Sequence, residues 1–137
     1  MTRKANFPSR FRPAIAGTAL LIASSSLAFA GDYDKEISTA AAHAGYAAAS
    51  TMIADAHAHL HHTINCLVGP NGAGFDATAM NPCQGQGDGA ITDTTDAGKK
   101  QLLQSAVTKA QAGLAADDLP TAAADGAAVQ AILNQAM

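Results

Sequence analysis

Lys35–Cys66, KEISTAAAHAGYAAASTMIADAHAHLHHTINC, decides the fold class. It contains no proline, and alanine, the best helix former, dominates it. Tyr46, Ile53, Leu60 and Leu67 recur every seven residues, with Ala42, Ala49 and Ala56 between them. That spacing makes an apolar stripe at helical period and predicts a helix from about Lys35 to Cys66. Ala41, Gly45 and Ala49, four residues apart, form a small-residue surface that another helix can approach closely. Gly45 can also bend or interrupt the helix and split it in two. Ile37–Ala54 carries no formal charge, which raises the question of a membrane span. Insertion rewards Leu, Ile, Phe and Val, and this window holds only two isoleucines among alanine, serine and threonine. It reads as a water-soluble helix, with no membrane insertion of the mature chain.

Downstream, residues 68–95 read as a long loop. Gly69-Pro70-Asn71-Gly72-Ala73-Gly74, Asn81-Pro82-Cys83 and then Gly85, Gly87 and Gly89 are turn-forming residues throughout. They lack the Lys-Ser/Thr ending of a phosphate-binding loop. A second helix is expected over Ala97–Ala116, with Asp96 as N-cap and Leu103, Val107 and Leu114 as its larger apolar positions. Pro120 is expected to stop it and Thr121 to cap a third helix over Ala122–Gln135, with Val129, Ile132 and Leu133 facing inward. No strand-type alternation of useful length is present. The expected fold is therefore all-α: a small bundle of three helices, or four if the first breaks near Gly45, with a long glycine-rich loop.

Upstream, residues 1–30 read as a secretory signal peptide. Arg3, Lys4, Arg10 and Arg12 give a positive start, Ala14–Ala23 a short apolar core, and Ala28 and Ala30 the small residues of a cleavage site. The apolar run is shorter than the roughly 20 residues a spanning helix needs. No cysteine follows the cleavage site to carry a lipid, and the twin-arginine pair is missing. The working protein is then expected to be one domain, 31–137, periplasmic or secreted.

Cleavage changes the electrostatics. The leader takes four of the eight basic residues, leaving Lys35, Lys99, Lys100 and Lys109 against eleven Asp and Glu, a net charge of −7 with no arginine. Such a chain repels phosphate, which excludes nucleic acid as a partner and leaves cations as compatible ones. Its apolar content is mostly alanine, so the core is thin and leaves room for a homo-oligomer. Cys66 and Cys83 are expected to form a disulfide in an oxidising compartment, where chain-entropy arguments assign roughly 3 kcal/mol to such a loop.

One constellation carries chemistry: Asp55-Ala56-His57-Ala58-His59-Leu60-His61-His62. At about 100° per residue, His57 and His61 share one helical flank, as an i, i+4 pair able to present two imidazoles to a metal. A neighbouring helix or a second subunit would complete that set. Asp55, His59 and His62 form a second, mixed set that zinc, copper or nickel would accept, with loop carbonyls, Asp76 or Asp88 completing the shell and Met52 nearby. His43, fourteen residues before His57, lies about 21 Å away along an unbroken helix and would join neither. The competing reading is a solvated or pH-responsive histidine face on a structural or interaction protein.

No HExxH, no CxxCH and no third-position histidine after Gly31-Asp32 is present, so zinc-hydrolase, covalent-haem and amino-terminal copper arrangements are excluded. Haem held by histidine is disfavoured. Ser50, Asp55 and His57 do not build a catalytic relay, and Asp117 and Asp118 read as surface residues, so a non-enzyme is expected.

The run HAHLHHTINCLVGPNGAGFDATAMNPCQGQGDGAI (His57–Ile91) resembles a segment of small exported bacterial proteins. The histidine tract, Asn65-Cys66-Leu67-Val68-Gly69-Pro70 and Asn81-Pro82-Cys83 carry the likeness. It implies that the helix end, loop and disulfide form one unit, and it transfers no activity.

Overall fold

The computed structural model describes Met1 and residues 31–137. The signal-peptide reading of residues 1–30 falls outside them. Among the described residues there are five helices and no strand: α1 (Tyr33–Ala49), α2 (Ile53–Val68), α3 (Ala90–Asp93), α4 (Ala97–Leu114) and α5 (Leu119–Ala136). None is long and apolar enough to cross a membrane. α1 packs on α2 and α5, and α4 packs on α2 and α5, so the four long helices form a ring around the core.

The first helix does break, but not at Gly45. Gly45 sits inside α1 beneath the Gln130 side chain. The break falls at Ser50-Thr51-Met52, where Ser50 and Met52 take extended backbone. Ser50 Oγ donates to the Tyr46 carbonyl at 2.8 Å, the kind of local bond by which serine competes with helix propagation. Folding back at this point lays α2 antiparallel on α1. It buries Leu60, Ile64 and Leu67 against Ile37, Ala40, Ala44 and Ala47. Because the chain reverses, the seven-residue stripe does not carry across the break: Leu60 and Leu67 are fully buried, whereas Tyr46 is 55% exposed.

Asp96 caps α4 by accepting from Lys99 N at 2.9 Å, as the sequence predicts. α5 begins earlier than expected. Asp118, not Thr121, is its N-cap and accepts from both the amide and the hydroxyl of Thr121. Pro120 thus opens α5 instead of closing α4, since its missing N–H costs nothing in a first turn. The expected 68–95 loop is interrupted by the single turn of α3, and its Ala90 is fully buried.

Cys66 and Cys83 form the expected disulfide, with Cα atoms 5.2 Å apart. Beside it Asn65, completely buried, donates to the carbonyls of Asp76 and Met80 and accepts from Asp76 N. The neck of the loop closes where Gly69 (φ 67°) meets Gly89 (φ 104°). A β-carbon on Gly89 would lie 2.4 Å from Gly69 N, so only bare backbone fits both the conformation and the approach.

Candidate metal centre

α1 and α2 form a helical hairpin about Thr51, so residues equidistant from it face each other. Thr63 Oγ1 donates to the Ala40 carbonyl at 3.3 Å, fixing the register. In that register His43, eight residues before Thr51, meets His59, eight after it. Their Nδ1 atoms are 3.1 Å apart. His62, one turn beyond His59, closes the group: its ring centroid is 5.0 Å from that of His43 and 5.5 Å from that of His59. Each ring offers one nitrogen, and the three nitrogens lie within 4.8 Å of one another.

The three nitrogens lie close enough together to hold a metal ion. Two nitrogens bound at 2.0–2.1 Å with a tetrahedral angle are ~3.3 Å apart, close to the His43–His59 separation. The widest separation would close by ~1.5 Å on binding, within reach of a side-chain rotation. His62 Nδ1 is buried and has no hydrogen-bond partner. Tyr46, on the next turn of α1, packs its ring 5.5 Å from His43 and 5.4 Å from His59, walling one side.

The electrostatics keep these rings uncharged. Burial, then the proximity of His62 and His59, lowers the His43 pKa to about 4. Burial, then His59 and His61, lowers that of His62. Both are therefore neutral at pH 7 and able to donate to a metal. All three donors are imidazole nitrogens, which suit zinc, copper or nickel and offer nothing to calcium or magnesium. Both cysteines are committed to the disulfide, so no thiolate competes.

The structure redistributes the residues read from sequence. His59 and His62 stay together, but Asp55 is exposed and their third partner is His43. The exclusion of His43 assumed an unbroken helix, and the Ser50–Met52 break removes that assumption. His57 and His61 lie outside the cluster. His61 Nδ1 is 3.4 Å from Asp76 Oδ2, tying α2 to the loop, so Asp76 serves His61 and not the triad. The hydroxyl and amide of Thr78, and then His61, hold the Asp76 carboxyl below the ordinary range. His57 Nε2 is buried without a partner. Met52 and Asp88 are exposed, and Asp88 lies outside the cluster. What sequence reading missed was His43 and its neighbour Tyr46. The available signal was the Ser50-Thr51 pair placed midway between His43 and His59.

Compared with protein-family models, curated proteins and solved structures, the chain matches none. The functional reading therefore rests on the site.

Proposed function

We propose that this is an exported, non-catalytic protein that binds a transition metal ion, copper, zinc or nickel, through His43, His59 and His62. One observation carries the reading: three imidazoles from two helices converge within 4.8 Å, and one of them holds a buried nitrogen that no protein group satisfies. A nitrogen of that kind costs free energy unless a donor or an ion reaches it. The disulfide supports an oxidising compartment, periplasm or exterior, as the place of action. Binding without catalysis fits the rest of the surroundings, where Ser50 is spent on the Tyr46 carbonyl and Asp55 is exposed.

Titration of the purified protein with zinc and with copper tests this. One equivalent is expected to bind, with affinity falling by about 100-fold or more in His43→Ala/His59→Ala and in His59→Ala/His62→Ala. His57→Ala/His61→Ala is expected to bind as wild type does. Equal binding by all three variants would exclude the triad.

A second reading is favoured by the His43–His59 hydrogen bond and the edge-on packing of His43 on Tyr46 and His62. These bonds hold the rings together in a purely structural cluster. That reading predicts no stoichiometric metal and a thermal transition indifferent to chelator.

A further inference from the structure

On the opposite end of α1 from the histidines, two carboxylates meet. Glu36 is 1% exposed; its Oε1 accepts from Gly89 N at 2.9 Å, and its Oε2 is buried without a partner. Asp93, closing α3, shares Gly87 with Glu36: a β-carbon there would lie 2.1 Å from Asp93 Oδ2 and 2.8 Å from Glu36 Oε1, and Asp93 Oδ2 accepts from Asp88 N at 2.8 Å. Among the described residues no lysine pairs with either group. Two facing carboxylates of this kind need a proton or a cation between them.

The backbone beside them belongs to Gly31. A β-carbon placed there would lie 1.7 Å from Asp93 Oδ2, so the glycine backbone rests directly against that oxygen. Gly87 packs on the same oxygen from the loop, and Asp32 N donates to the Gln86 carbonyl at 2.8 Å, holding Gly31 in place. Gly31 is also the residue that follows Ala28-Phe29-Ala30 in the sequence.

We propose that cleavage after Ala30 turns Gly31 into an α-ammonium that docks on the Asp93 and Glu36 carboxylates, so that maturation itself completes this end of the fold. Hydrolysis of the Ala30–Gly31 bond places the water oxygen on the Ala30 carboxylate and leaves Gly31 with a protonated amine. A neutral amide with one hydrogen becomes a cation with three donors. The orphaned Glu36 oxygen and the Asp93 carboxylate then gain a cationic partner that none of the described lysines supplies. Burial and the charges of Asp93 and Asp88 push the Glu36 carboxyl up to about 7 in the uncut chain, consistent with a pair awaiting a counter-charge. The close approach to Asp93 is what requires glycine at this position. The inference rests on the leader reading and is independent of the metal site.

The test uses the exported, processed protein, the same chain with one alanine added before Gly31, and the processed chain acetylated at its amine. Terminal sequencing is expected to read Gly31 first. The α-amino pKa, followed by NMR, is expected at least about one unit above the ordinary 7.7–8.0. The added alanine or acetyl group is expected to raise the unfolding constant in urea at least about tenfold, a penalty absent from Glu36→Gln/Asp93→Asn. If that double variant does not fold, the α-amino pKa of the wild type decides alone. A terminus other than Gly31, an ordinary α-amino pKa, or equal stability of extended and processed chains would overturn the proposal. So would calcium stabilising both chains equally, which would assign the carboxylates to a divalent cation.

Discussion

His62 Nδ1 is a buried ring nitrogen with no hydrogen-bond partner, a condition that costs about 1–3 kcal/mol when nothing fills it. Glu36 Oε2 is the acidic counterpart, and its consequence can be read in pH. A carboxyl whose pKa rises from 4.5 to about 7 on folding binds more protons in the folded state between those values. It therefore costs nothing below about pH 4.5, withdraws stability as pH rises toward 7, and withdraws no more above that. In the chain with its Gly31 nitrogen blocked, Glu36→Gln is expected to flatten this dependence and to raise the urea midpoint at pH 8 above that of wild type. An unchanged pH profile would mean that Glu36 is ionised throughout. At this scale the sequence was only partly legible. Histidine density pointed to α2, but no composition rule shows that a lone His43 on another helix completes the set, because that depends on where the chain turns back.

The α1–α2 hairpin and the loop beyond it are the elements that assemble the site. Helix content, the Asp96 cap and the Cys66–Cys83 bridge could be read from residue type, since each depends on local preference or on a single possible pairing. The Ser50–Met52 break was signalled only by its Ser50-Thr51 pair. It contains neither proline nor glycine, and it follows from burying Leu60, Ile64 and Leu67 on the alanine face of α1. α3 was hidden for the same reason: one turn among glycines, held by the burial of Ala90. Asn65 organises the loop from the end of α2 through three hydrogen bonds. Asn65→Ala is expected to lower stability by roughly 2–4 kcal/mol, because it leaves buried loop groups unpaired. Chemical denaturation measures this directly, and a loss below about 0.5 kcal/mol would show that water replaces the side chain.

Across the whole molecule, cohesion comes from close approach and not from bulk. Among the described residues, ten of the twenty buried apolar ones are alanine, so the helices gain contact by lying near one another. Gly126 on α5 shows how near: a β-carbon there would meet Ala48 N at 2.9 Å and the Ala44 carbonyl oxygen at 3.1 Å on α1. Gly126→Ala is expected to push α5 off α1 and cost about 1–3 kcal/mol, although alanine is the better helix former. A neutral or stabilising result, read from the thermal midpoint, would mean that the interface relaxes freely. The alanine-rich composition announced a thin core, but which alanines lie inside is set by the hairpin register. Ala40, Ala44 and Ala47 are buried while Ala42 and Ala49 on the same helix are exposed.

A metal held by His43 on α1 and by His59 and His62 on α2 would add a cross-link to this fold, raising its stability by about 2.7 kcal/mol at a free concentration 100 times the dissociation constant. The most direct measurement is a titration of zinc into the protein, followed through the imidazole nitrogens by long-range proton–nitrogen NMR. Ring nitrogens of His43, His59 and His62 are expected to shift together and saturate at one equivalent, while those of His57 and His61 hold still. Shifts led by His57 and His61, or none at several equivalents, would contradict binding at the triad.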